Sequence, residues 1–215
     1  MLKLLIGNRN YSSWSLRPWL FLKLSNVPFD VERIALYAEG SKAEILKYSP
    51  SGKVPLLIDD DIYVWDSLAI CEYSVERFNL TTAWPADVRA RAEARSLVAE
   101  MHSGFSGLRS QLSMNCRRTP MAASYDDVAA ADIRRIDAIW TSCRERFAAQ
   151  GPGLFGAWSL VDAFYAPVVL RFDRYCLPCS SASRAYMDSV LALPVMQEWI
   201  AAARGEKEVL TQFEV

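Results

Sequence analysis

The chain has 215 residues, 52% of them hydrophobic and 23% charged, an ordinary globular balance with room for one large domain or two small ones. A formal net charge of -1 gives no bulk attraction for nucleic acid. No apolar run approaches the roughly 20 residues of a spanning helix, no secretory leader pattern opens the chain, and five cysteines without framework spacing fit a reducing compartment, so a cytoplasmic protein acting away from membranes is expected.

Leu2-Lys3-Leu4-Leu5-Ile6 is a strand-length apolar run ending in the turn signal Gly7-Asn8. A hydroxyl cluster, Ser12, Ser13 and Ser15, surrounds Trp14, and Leu16, Leu20 and Leu24 follow at helical spacing. Pro18 is tolerated only in a first helical turn, so the helix is expected to begin near Trp14 or Ser15. A strand, a short loop and a helix N-terminus bearing hydroxyls suit an anion, a thiolate included. The same serines also serve as ordinary N-caps, and this stretch alone leaves both roles open.

Alternation over residues 29–34 predicts a second strand, and Lys42 to Lys47 a short helix. Ser49-Pro50-Ser51-Gly52 is a turn cluster. Val54 to Ile58 and Ile62 to Trp65 read as a hairpin with Asp59-Asp60-Asp61 at its tip, and Asp66-Ser67 as the cap of a helix to about Phe78. The order βαβ, α, ββ, α implies a mixed four-stranded sheet of thioredoxin-like type. Pro55 at a strand start suits a cis peptide there, an ordinary edge proline being the alternative.

Residues 79–86 look like a linker, and the pattern beyond them is helical. Asp87 to about Leu112 reads as one long helix and Asp126 to about Ala149 as a second. Ser159-Leu160-Val161-Asp162 is a capping-box start for a helix that Pro167 is expected to bend. Shorter helices are predicted over 183–191 and 195–204. The expected organisation is therefore 1–78, linker 79–86, and an all-α region 87–215. Cys176-Leu177-Pro178-Cys179 lacks the strand-then-helix setting of a redox pair, and a single histidine argues against a metal site.

Taken together, these motifs resemble the cytosolic glutathione S-transferases of the bacterial, serine type. Tyr11-Ser12-Ser13-Trp14-Ser15-Leu16-Arg17 is similar to the zeta-class serine motif, although Trp14 stands where that motif has Cys. Ser51-Gly52-Lys53-Val54-Pro55-Leu56-Leu57 resembles the cis-proline segment, Asp66-Ser67 the acidic-Ser pair, and Gly156 to Ala163 the capping-box segment. The resemblance implies a thioredoxin-like domain (α/β) plus an all-α domain, and glutathione as co-substrate with no metal. It further implies a small electrophile as second substrate and a homodimer. Ser12, with Ser13 as neighbour and alternative, would donate to the thiolate. Ser13, Trp14, Lys42, Lys53, Val54, Pro55, Asp66 and Ser67 would bind glutathione. Met101, His102, Phe105 and Arg109, with Glu100 beside them, would line the electrophile pocket. Conjugation is the leading expectation. Glutathione-dependent isomerisation or peroxide reduction, and a non-catalytic interaction module, are the alternatives.

Overall fold

Strand β1 (Leu2–Ile6) is central, and its residue alternation shows why. Leu2, Leu4 and Ile6 face the large core, while Leu5 faces a smaller cluster with Ile34, Ile45 and Leu56. A strand buried on both faces reads as a nearly unbroken apolar run. The structure is a computed structural model describing residues 1–214.

After β1 come α1 (Ser13–Leu24), β2 (Asp30–Arg33), α2 (Ser41–Leu46), β3 (Leu56–Asp59), β4 (Ile62–Trp65) and α3 (Ser67–Arg77). The four strands lie in the order β2-β1-β3-β4. β1 pairs with β2 in parallel and with β3 antiparallel, with Leu5 opposite Leu56. The expected mixed sheet is therefore present, and the Val54-Pro55 bond is cis. α1 starts one residue earlier than expected because Ser12 is its cap: Ser12 Oγ accepts from Ser15 N–H at 3.3 Å.

The helical part comprises α4 (Val88–Ser103), α5 (Ser106–Gln111), α6 (Asp127–Phe147), α7 (Leu160–Arg174), α8 (Ser181–Leu191) and α9 (Pro194–Arg204). The single long helix expected over 87–112 is a correction, since it breaks at Gly104 and Phe105. Phe105 sits at φ 55, and a Cβ on Gly104 would meet Glu100 O at 2.7 Å. Gly104 was the stop signal that the apolar spacing hid. Arg109 seals the break, its Nη1 donating to His102 O at 3.2 Å and Gly104 O at 3.3 Å. Helix α7 runs unbroken through Pro167, and its capping box is formed as expected.

Residues 79–86 carry no regular structure, but they are not a loose tether. Ala83 and Trp84 are buried, and Ala83 O accepts from Leu160 N–H at 3.1 Å. α1 packs against α3 on one side and against α7 and α9 on the other. Leu16, Trp19 and Leu20 thus share one continuous core with Phe164, Leu170 and Trp199.

The segment after α9 returns across the sheet half. The Glu206 carboxylate accepts from Arg9 N–H at 2.8 Å and Asn10 N–H at 3.2 Å. Arg117 donates to Glu206 O and Glu208 O, both at 2.6 Å. Tyr11 OH donates to Glu214, and the Phe213 ring lies between Tyr11 and Tyr37.

Candidate active site

A cleft of about 1190 Å³ opens where the N-termini of α1 and α3 meet the helical half. Ser12, Ser13 and Trp14 enter from α1, and Asp66 and Ser67 from α3. Helices of 12 and 11 residues thereby aim two sets of free N–H groups and two positive dipole ends into one space. Lys42 comes from α2, Lys53, Val54 and Pro55 from the cis-proline loop, and Arg109 from α5. Ten of the residues anticipated for the site thus meet in one cleft.

The hydroxyls differ in their partners. Ser12 Oγ lies 2.8 Å from Ser15 Oγ, and Ser15 Oγ accepts from Gly7 N–H at 3.1 Å. Ser13 has no side-chain hydrogen bond among the described residues and faces the cleft directly. Ser67 Oγ is fully buried and without a partner among the described residues, an arrangement that costs free energy unless something else satisfies it. Val54 lies outside the paired register, which ends at Leu5 opposite Leu56, leaving it free to pair with an extended ligand backbone.

Asp66 takes φ 78 and caps α3, its Oδ1 accepting from Leu68 N–H at 2.8 Å and Ala69 N–H at 3.2 Å. Its Oδ2 lies 3.2 Å from His102 Nε2, a contact from α4 to α3. Trp14, where a cysteine was the zeta-like expectation, sits between the guanidinium groups of Arg17 at 4.2 Å and Arg109 at 4.6 Å. Arg17 is 1% exposed, and burial, helped by Arg109 and Arg171, pushes it down to about 9.

The anticipated electrophile residues divide. Arg109 lines the cleft, but Met101 and Phe105 are buried in the core and do not. The error follows from the broken helix: past Gly104 the face presented to the cleft carries Ser106 and Ser110 instead, with Ser103 before the break. His102 stands behind the cleft, against Asp66 and Trp14. Glu100 turns away to pair with Arg135 at 2.8 Å. Tyr37 and Phe213 complete the cleft, and nothing in their local sequence marks them. Cys176 and Cys179 are free thiols in the helical half, and neither lines the cleft.

Burial lowers the His102 pKa, Arg17 and Arg109 add to this, and Asp66 opposes it. The unfolded chain then binds the proton more readily than the folded one. Stability should fall as pH drops through the unfolded value of 6.5 toward the lowered folded value. Urea unfolding at pH 7 and pH 5 should show this loss, and His102→Gln should shrink it. An unchanged pH difference in that variant would remove His102 as the cause.

A thioredoxin-like sheet with a cis-proline loop, facing a helical half across a cleft, defines the class of protein: a two-part fold with an open cleft between its halves. Residues 11–77 match the family model described as "Glutathione S-transferase, N-terminal domain". A probable maleylacetoacetate isomerase of Caenorhabditis elegans is 32% identical over 100 residues, 46% of either chain. Glutathione S-transferase 1 of Dianthus caryophyllus is 34% identical over 91 residues, 42% of this chain and 41% of that one. The chain thus spans less than half the length of these relatives. Among solved structures, maleyl pyruvate isomerase, described as a bacterial zeta-class enzyme, superimposes with a TM-score of 0.71 at 21% identity, covering 96% of this chain and 100% of that one. A glutathione transferase homologue from Burkholderia gl BGR1 with bound glutathione gives 0.68 at 22%, covering 94% and 97%. At these identities the structural likeness speaks for the fold.

Proposed function

We propose that the chain is a glutathione transferase, conjugating the glutathione thiolate to small electrophiles. The observation that carries this is Ser67 Oγ, buried and without a partner among the described residues at the N-terminus of α3, across from a cis-proline loop whose Val54 lies outside the strand register and from the hydroxyls at the start of α1. The cleft supplies what a tripeptide thiol needs. Ser67 and the α3 N-terminus take the γ-glutamyl carboxylate, and Asp66 takes the ammonium. Val54, held by Pro55, pairs with the cysteinyl backbone. Lys42 and Lys53 face the glycine carboxylate. Ser12, with Ser13 beside it, donates a hydrogen bond to sulfur, and the α1 dipole adds to it, so that the thiol loses its proton to water near neutral pH. The sulfur then bonds to the electrophilic carbon as the leaving group departs with its electron pair. Trp14, Arg109 and the three serines of α4 and α5 form the electrophile side.

Retention on immobilised glutathione followed by turnover with a panel of electrophiles tests this reading. Failure to bind glutathione would sink it and favour an interaction module. Isomerisation is the second reading, since Arg109 brings a cation to the electrophile side, which suits an anionic substrate. Residues 1–78 would be the glutathione-binding domain, 79–86 the connection and 87–215 the second domain.

Ser67→Ala gives effects of opposite sign in the two readings of that residue. In the free protein it removes an unsatisfied buried hydroxyl, so stability should hold or rise. With glutathione it removes a charge-assisted bond worth roughly 1.5–3 kcal/mol, so affinity should fall about ten- to a hundred-fold. Calorimetric titration beside thermal unfolding reads both. An affinity unchanged by the substitution would take Ser67 out of the binding site.

A homodimer is also proposed. Tyr63 and Trp65 on edge strand β4 are 46% and 47% exposed, and Ala92, Ser96 and Ala99 form an exposed small-residue row on α4. Ala90 and Ala94 of the same helix turn inward to the core. Light scattering should give about twice the subunit mass of 24.2 kDa, and a monomer mass at micromolar concentration would reject it. A cytoplasmic setting is proposed as well; among the described residues no helix is long and apolar enough to cross a membrane.

A further inference from the structure

Ser12 is both the cap of α1 and, in the reading above, the donor to the thiolate. These roles compete for one hydroxyl unless its proton is directed outward. A serine hydroxyl has one proton and two acceptor positions. Ser15 lies one helical turn on, with no exposure at all. Its Oγ accepts from Gly7 N–H at 3.1 Å, a donor fixed at the end of β1. Gly7 directly follows β1, which is paired on both sides, and Leu36 packs so closely on it that a Cβ there would meet Leu36 Cδ1 at 2.5 Å.

The Ser15 proton then has one hydroxyl acceptor within reach among the described residues, Ser12 Oγ at 2.8 Å. Ser12 Oγ also accepts from Ser15 N–H at 3.3 Å, a hydrogen shared with Ser12 O. Both acceptor positions of Ser12 are thereby filled from the protein side. What remains is its own proton, on the side of the residue that lines the cleft. The reverse orientation, Ser12 donating to Ser15, would strand the Ser15 proton in a fully buried place with no acceptor among the described residues, which native interiors avoid.

We propose that Ser15 is a positioning residue that, anchored by Gly7 N–H, fills the acceptor capacity of Ser12 and so compels Ser12 to donate into the cleft. The inference rests on the reading of Ser12 as thiolate donor and deepens it. Capping and donation cease to be alternatives, because the cap bond supplies part of the orientation. A hydroxyl polarised by donors behind it is also a stronger donor in front.

The test is ultraviolet absorbance of the bound thiolate against pH, on the full chain saturated with glutathione. The variants are Ser12→Ala, Ser15→Ala, Ser15→Cys and the double Ser12→Ala/Ser15→Ala. Ser12→Ala should raise the midpoint by about one to two units, a ten- to hundred-fold change. Ser15→Ala should raise it by roughly half as much while leaving the glutathione KM within about twofold, because it acts through orientation and not recognition. The double variant should match Ser12→Ala alone, the pattern expected of two residues acting in series. Should Ser15→Ala fail to fold, Ser15→Cys fills the site with a weak donor, and its midpoint should lie above that of the unaltered chain. A midpoint unmoved by Ser15 substitution while Ser12→Ala moves it overturns the relay and leaves the Ser12 reading standing. Additive shifts in the double variant overturn it too. A midpoint that Ser12→Ala does not move removes the thiolate-donor reading itself, and the relay falls with it.

Discussion

Turnover of the Ser12→Ala variant near neutral pH should fall about ten- to a hundred-fold, the worth of one charge-assisted hydrogen bond of roughly 1.5–3 kcal/mol. The glutathione KM should change little, since the recognition proposed above falls to Val54, Asp66 and Ser67, which line other parts of the cleft. A loss confined to thiolate formation has a recognisable pH profile: at higher pH the thiol ionises unaided and the rate partly recovers. Steady-state rates from pH 6 to 10 decide the matter. A deficit that is flat across that range, or one carried wholly in KM, would return Ser12 to a capping role and leave Ser13, whose hydroxyl has no side-chain partner among the described residues, as the donor to examine.

The second large effect lies far from the cleft. Asp162 is 1% exposed at the start of α7. Its Oδ1 accepts from Leu154 N–H at 2.9 Å and Tyr186 OH at 3.1 Å. Its Oδ2 accepts from Ser159 N–H at 2.8 Å and Ser159 Oγ–H at 3.0 Å. One carboxylate therefore joins the glycine-rich turn before α7, the helix cap and α8. Burial still lifts its pKa above the ordinary value despite these donors. Asp162→Ala strands several buried donors at once and should cost roughly 3–5 kcal/mol, a large share of the 5–15 kcal/mol typical of a domain. Asp162→Asn keeps one acceptor oxygen and should cost less. Urea unfolding of both variants measures the difference. A loss under about 1 kcal/mol for Asp162→Ala would mean that the turn is held by other contacts, such as Arg144 donating to Gly151 O at 2.8 Å.

Local chemistry made much of this molecule legible. The alternating Leu2, Leu4 and Ile6, the Ser159-to-Asp162 box, and the Asp66-Ser67 cap each declare themselves within a few residues, and each forms as expected. The cis bond at Pro55 and the convergence of Ser12, Lys53 and Ser67 became expectations only once separated motifs were read in order. Failures came where helical periodicity overrode a single residue. Met101 lies on the core face of α4, and the break at Gly104 turns Phe105 into the core and brings Ser106 and Ser110 to the cleft. Phe213 and Tyr37 were missed for another reason: their place depends on pairings such as Arg117 with Glu206 and Glu208, which span the chain and leave no local trace.

The burial of α1 on both sides has a consequence for how such a chain can be recombined. Its apolar residues do not stop at the sheet, because α1 packs on α7 and α9 as well as on α3, with the Trp19 ring 5.0 Å from that of Trp199. A sheet half transplanted onto the helices of a distant relative would bring one fitted surface and one mismatched one. Chimeras should therefore succeed only when α1 and α7 travel together, and the native chain should melt in a single cooperative transition with no separately folded half. The unit of inheritance here is the pair of halves, joined through one shared helix.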